Sequence, residues 1–279
     1  MKATLNRIAA VTAIEIRLSV RNRWVALSTL ILVLFALALA FLGSGPAGAS
    51  KVGALTLTAA SLATLSVYLI PLIALLLSYE TIAGEVERST LPLVLATPVR
   101  RFEVLTGKFV GHLSVLTLAI VVGYSIAALA VVAVHGADLH GALAWARLIA
   151  TGVLLGAVFV AIGILVSAST ARVGTAAALL VGIWLVLIVL YDLALLAGLI
   201  VDDGGFFTKS LFPALVIANP GDAFRLYNLA ALEGSAPVAG IDGLARSLPF
   251  PPSLALAALA AWLAAMIAAG LWRFQKVRP

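Results

Sequence analysis

Residues Ser78 to His112 read SYETIAGEVERSTLPLVLATPVRRFEVLTGKFVGH. This is the longest charged interval between apolar runs. It holds Glu80, Glu85, Glu87 and Glu103 together with Arg88, Arg100, Arg101 and Lys108, four acids and four bases in a chain with only 12 and 18. A segment that merely crosses a bilayer needs no such density. The interval reads as a docking surface for a soluble partner on the cytoplasmic side. Ser89 or Thr90 can cap a short helix, and Pro92 falls in its first turn, where a missing N–H costs nothing. Leu91, Val94 and Leu95 give that helix an apolar face, and Thr97-Pro98 ends it. Arg100 and Arg101 stand at its exit, where cations meet the helix C-terminus and anionic lipid. A short rigid helix held between two spans can carry a partner's movement to both. The plainer alternative is an amphipathic helix resting on lipid.

Outward from this interval the chain is apolar. It has 279 residues, 63% hydrophobic and 11% charged, with mean hydropathy +1.17. Soluble domains carry roughly 25% charged residues, so this composition belongs to a polytopic membrane protein. Each span must satisfy its own backbone, which points to helices. A β-barrel would alternate in segments of about 10 residues. Here the runs are continuous, as in Trp24–Leu42 and Thr175–Leu190. With no cysteine, disulfide and thiolate-metal schemes are excluded.

About 20 apolar residues make a span. By that rule there are six, near 24–43, 54–78, 109–134, 145–168, 173–200 and 253–273, in a single all-α domain covering 1–279. The first apolar run is 19 residues long and starts at Trp24, so it reads as a retained span and not as a cleaved leader. With the N-terminus inside, the cytoplasmic segments hold 13 of the 18 Lys and Arg. Lys51, Arg147, Lys209, Arg225 and Arg246 fall outside. This bias obeys the positive-inside rule and places both termini in the cytoplasm. It also accounts for the net charge of +6 without nucleic acid.

Residues 1–23 repeat apolar positions every three to four, at Leu5, Ile8, Val11 or Thr12, Ile16 and Val20. The spacing predicts an interfacial amphipathic helix with Arg7, Glu15 and Arg17 on its polar side. Trp24, Tyr79, Trp145, Tyr191 and Trp272 lie near span ends, where aromatic rings anchor. Gly107 and Gly111, Gly152 and Gly156, and Gly174, Ala178 and Gly182 are four apart, which permits close helix contacts. Between the last two spans, Leu211–Ala218 is apolar but too short to cross. Asn219-Pro220-Gly221 signals a turn. Asp222 can cap a short helix, Ala223–Leu232, with Phe224, Tyr227 and Ala231 on one side. One or two short helices are expected there, on or dipping into the outer leaflet. Asn219, Asp222, Phe224, Arg225 and Tyr227 are then candidates for contact with an outer partner; the competing reading is a covering loop.

Several motifs fail on context. Gly43-Ser-Gly45-Pro-Ala-Gly48 matches G-x-G-x-x-G but follows a span, so it is a turn. Gly107-Lys108 resembles the end of a P-loop. Phe102 stands where the first glycine belongs, however, and Phe109 replaces Ser or Thr. If ATP powers this protein, ATP and Mg are bound by a separate subunit. His135, His140 and Asp138 share an outer loop but lack the ligand number for a metal site. His112, at the start of the third span, can reach headgroups. Asp192 is the one acid inside a span, a pathway candidate by default. Its distance into the span equally permits an interfacial position. No catalytic constellation appears, so the chain reads as non-catalytic.

Glu85-x-Glu87-Arg88-Ser89-Thr90-Leu91, Leu93 to Arg101 and Gly107-Lys108 together resemble the signature of ABC-2 type permeases, the membrane subunits of ABC exporters. The family pattern has Gly where this chain has Ser89. A narrower resemblance, to the permeases of nitrous oxide reductase maturation systems, rests on Tyr191-Asp192-Leu193, Leu211-Phe212-Pro213 and Asn219 to Leu229. The resemblance implies that two copies pair with two copies of a cytoplasmic ATPase. It implies that Glu85, Glu87, Arg88, Thr90, Leu91, Val94, Leu95, Pro98, Arg100 and Arg101 form a coupling helix seated in a groove of that ATPase. It further implies that a periplasmic repeat protein sits outside, and that the assembly serves the copper–sulfur centre of the reductase by export or by mechanotransmission. Alternatives are an ABC-2 exporter of a lipid, drug or polysaccharide, and a secondary transporter that uses Asp192.

Overall fold

The computed structural model describes residues 2–20, 23–42, 53–202, 204–230 and 250–277. Among these residues every regular element is helical. In chain order they are α1 (Lys2–Val20), α2 (Arg23–Leu42), α3 (Ala54–Ser78), α4 (Ala83–Glu87), α5 (Leu91–Leu95), α6 (Arg101–His135), α7 (Leu139–Ser167) and α8 (Val173–Trp184). A π-helical segment, Leu185–Leu190, continues α8 into α9 (Tyr191–Asp202). A second one, Phe207–Leu211, leads into α10 (Phe212–Ala218), then α11 (Pro220–Ala230) and α12 (Ser253–Gln275).

Among the described residues, five helical stretches are long and apolar enough to cross a membrane: Ala54–Glu87, Arg101–His135, Leu139–Ser167, Val173–Asp202 and Ser253–Gln275. The apolar part of α2, Thr29–Phe41, is shorter. The expected turn at Gly43–Gly48 lies outside the described residues, as do 231–249 and the side chain of Trp24.

The core forms where α3 and α7 pack along each other, with α6, α11 and α12 closing around them. Glycines set the closest approaches. A Cβ on Gly156 would lie 2.5 Å from Leu116 Cδ2, and one on Gly152 would lie 3.1 Å from Ile70 Cδ1. On α6, a Cβ at Gly107 would meet Val11 at 2.6 Å and one at Gly111 would meet Glu15 at 2.6 Å, so α1 lies directly on α6. Both pairs therefore permit the helix contacts that their spacing foretold. Gly174 and Gly182 face open space.

Some aromatic and polar expectations are corrected. Helix α7 begins six residues before Trp145, so that ring is buried within the bundle. Its Nε1 donates to Leu55 O at 2.9 Å. Tyr191 is half-buried and its hydroxyl donates to Leu215 O at 2.8 Å. Trp272 is exposed, with Lys276 Nζ 3.5 Å from its ring centroid, as an anchor would be. Glu15 lies on the packed side of α1 and not on a polar outer face, while Leu5, Ile14 and Leu18 are exposed.

Candidate functional site

The charged interval folds into two short helices capping the ends of α3, α6 and α7. The hydroxyl of Ser167 accepts from Ile82 N and Ala83 N, both at 3.0 Å, and so fixes the start of α4 on α7. Ser89 sits between α4 and α5 with φ +53°, the left-handed conformation that glycine adopts freely and other residues rarely do. This gives a physical reason for glycine in the family pattern at this position.

Helix α5 forms where expected, but its faces differ from the expectation. Leu91 is 1% exposed and belongs to the core, and Val94 and Leu95 are half-buried. The outward side is Pro92, Leu93 and Ala96, with Leu93 71% exposed. Leu93 was missed because the periodicity finds the apolar face without telling whether the protein's own core or a partner covers it. Thr90 does not cap α5; its hydroxyl donates back to Glu85 O at 3.3 Å. Glu87, Arg88, Pro98 and Arg100 are exposed around the helix, with Arg88 4.0 Å from Glu80.

Two candidates turn inward. Arg101 donates to Phe274 O at 2.8 Å and Val277 O at 2.7 Å. It therefore satisfies carbonyls at the end of α12 instead of facing a partner. Glu85 accepts an ion pair from Lys108 at 2.8 Å, and Lys108 also bonds Glu15 of α1. His112 is buried, with Nε2 2.9 Å from Thr81 Oγ1 and 3.8 Å from Glu15, and so is turned into the protein and not toward headgroups. One buried lysine thus joins three elements. Charges taken out of water must be paired in this way, because stranding one costs several kcal/mol. The exposed carboxylate of Glu87 accepts from Val173 N at 2.7 Å and caps α8.

The outer candidates also assemble, but inside the bundle. Asn219, Asp222, Phe224 and Arg225 are all buried, so only half-buried Tyr227 remains open to an outside partner. Helix α11 packs among α3, α7 and α12. Asn219, not Asp222, caps it: Asn219 Oδ1 accepts from Gly221 N at 2.8 Å and Asp222 N at 3.3 Å. Residues 219, 222, 225 and 228 form one polar stripe, a spacing of three that the sequence displays openly. Arg225 grips Asp192 with two bonds of 3.0 and 3.1 Å and also bonds Asp222, while Tyr68 OH donates to Asp192 at 3.3 Å. Asn228 Nδ2 donates to Thr151 Oγ1 at 2.9 Å. Asp192 is thus half of an ion pair. Nothing in the sequence singles out Tyr68 as its neighbour. Of the residues expected in the loop with His135 and His140, Asp138 caps α7 by accepting from Gly141 N at 2.6 Å.

The described residues thus form an apolar helical bundle with a short, partly exposed helix at one end and a polar cluster within. The family described as ABC-2 family transporter protein matches residues 9–278. A "Probable ABC transporter permease protein NosY" from Stutzerimonas stutzeri is 38% identical over 262 residues, 93% of this chain and 94% of that protein. A protein of the same description from Pseudomonas aeruginosa PAO1 is 38% identical over 265 residues, 93% and 95% of the two chains. This chain belongs to the ABC-2 family of membrane-spanning ABC transporter permeases.

Proposed function

We propose that this chain is a NosY-type permease, two copies of which assemble with two copies of a separate cytoplasmic NosF-like ATPase that binds ATP and Mg. On this reading it lies in the bacterial inner membrane, surrounded by lipid. Helix α2 is the first of six spans, α1 lies in the interface, and both termini are cytoplasmic. A periplasmic NosD-like repeat protein docks outside. ATP-driven export or mechanotransmission through the permease then serves assembly of the copper–sulfur centre of nitrous oxide reductase.

The observation that carries the coupling role is the seating of α5. Its root, Leu91, is buried, and its tip, Leu93, is 71% exposed between two long helices. A soluble protein that grips this tip also grips α3 and α6. Pro92, Leu93, Ala96 and Pro98 would form the contact, with Glu87, Arg88 and Arg100 around it. Glu85, Leu91 and Arg101 would hold the helix in place. Outside, Ile200, Val201 and Phe206 are 70–85% exposed where α9 turns toward α10, which offers an outer partner an apolar tip. The exposed Gly174, Ala178 and Gly182 face of α8 suits close packing by the second copy.

The test is co-purification of the tagged chain from its host in mild detergent, with partners identified by mass spectrometry. A P-loop ATPase together with a periplasmic repeat protein is the expected result. An ATPase alone would favour an ABC-2 exporter of a lipid, drug or polysaccharide. An intact permease with neither partner would overturn the proposal.

A further inference from the structure

The stretch Val173–Asp202 is 30 residues long, about 45 Å at 1.5 Å per residue. Only 17% of its apolar stretch is buried, against 67% for α7. Few of its side chains are buried within its own chain, so its polar ties mark where it is attached to the chain's other helices. At the inner end Val173 N donates to Glu87 at 2.7 Å. Midway, Trp184 Nε1 donates to Tyr68 O at 3.1 Å. At the far end Asp202 accepts from Thr208 N at 2.8 Å, and further ties cluster at the π-helical segment and just beyond it. Asn219 Nδ2 donates to Leu187 O at 2.6 Å, Tyr191 OH donates to Leu215 O, and Arg225 clasps Asp192.

A π-helical turn interrupts the regular ladder and is a place where a helix bends. Here the freed strip of backbone is bonded to Asn219, the cap of α11. The joint and the attachment therefore coincide. Helix α11 in turn packs on α12, and Trp262 Nε1 of α12 donates to Ala218 O at 2.8 Å.

We infer that α8 to α9 is a lever whose foot is held by Glu87 beside the coupling helix, and that the Asp192–Arg225 clasp passes its movement to α11 and the outer half of α12. The inference rests on the ATPase-coupled reading above and adds the route by which movement crosses the membrane. A charge-paired clasp suits this task. Sliding apart would leave the Asp192 carboxylate in a low-dielectric interior without its cation, a loss that opposes separate movement of the two helices, while Arg225 keeps Asp222. Asp222 braces Arg225 from within α11, and Tyr68 braces Asp192 from α3.

The chain contains no cysteine, so paired spin labels can be placed cleanly in the complete complex with its ATPase. One pair, at exposed Leu139 and Leu254, reports the outer ends of α7 and α12. A second, at exposed Ala171 and Gln275, reports the foot of α8 against the inner end of α12. Adding ATP, Mg and vanadate is expected to shift both distances. Asp192→Asn or Arg225→Gln should keep the inner shift and reduce the outer one by more than half. The charge-reversed pair D192R/R225D, made together with Asp222→Asn so that the moved carboxylate does not meet Asp222, should restore it.

A full outer shift in Asp192→Asn overturns the inference, as does an assembled reversed pair that shows none. Should the single variants not assemble, the reversed pair decides alone, by assembling and shifting or by failing to. An unaltered complex that hydrolyses ATP without a shift at both ends overturns the lever while leaving the ATPase partnership standing. Absence of any ATPase partner defeats the proposed function itself.

Discussion

Leu91 and Leu93 stand two residues apart in one short helix and should behave oppositely when truncated. Leu91 is 1% exposed and Leu93 is 71% exposed. Leu91→Ala removes core side-chain atoms and leaves a cavity, at a cost of about 2–5 kcal/mol to folding. Leu93→Ala removes almost nothing from the folded chain. If the ATPase covers Leu93, however, most of a leucine's burial is lost on binding. Full burial is worth about 1.5–3 kcal/mol, so the exposed share is roughly 1–2 kcal/mol, or about 5- to 30-fold in Kd. Leu93→Asp should weaken binding further, because a carboxylate would be desolvated without a partner. The assay is titration of the purified ATPase onto detergent-solubilised permease, alongside thermal melts of the permease alone. Unchanged affinity of Leu93→Ala with an intact fold would refute the assignment of α5 as the docking helix. A melt of Leu93→Ala lowered as far as that of Leu91→Ala would refute the division of its faces.

Other outcomes follow from the same contacts. Lys108→Met strands Glu15 and Glu85 in the interior and should cost about 3–5 kcal/mol in melts. Glu15→Gln should cost less, since Lys108 keeps Glu85 at 2.8 Å; the reverse order would contradict the network. Gly156→Leu should destabilise the chain by about 1–3 kcal/mol or more through overpacking against Leu116. Gly182→Leu, facing open space, should leave the melt unchanged and weaken pairing of two copies as read by cross-linking. Ser89→Gly should raise stability by up to about 1–2 kcal/mol by relieving a left-handed residue, and Ser89→Val should lower it. Single cysteines at exposed Ala96 and His140 should react with an impermeant reagent from opposite sides of the membrane. Reaction from one side only would sink the orientation.

Much of the architecture was legible in the chain because the bilayer imposes a one-dimensional rule. A span must be a run of apolar residues that bonds its own backbone. The run 54–78 coincides with α3, and 173–200 falls within the Val173–Asp202 stretch. Helices that extend beyond their apolar runs are less legible. Their ends are set by caps, as when Arg100 and Glu103 start α6 eight residues before its apolar run, or Asp138 starts α7 ahead of Trp145.

The sites divide along the same line. Sequence alone determined that a charged interval carries a short helix after a tight turn, because Pro92, Thr97-Pro98 and the flanking charges act locally. It also marked Asp192 as unusual, since a carboxylate in an apolar run needs an explanation wherever it points. Partners were beyond its reach. Glu15 meets Lys108 across 93 residues and Asp192 meets Arg225 across 33, and no local pattern encodes such pairings. Only the tertiary structure decided that α11 is a buried strut, that Arg101 closes α12, and that Leu93 rather than Leu91 faces outward. Burial depends on which helix lies opposite, and that is a property of the packed bundle, not of any one segment.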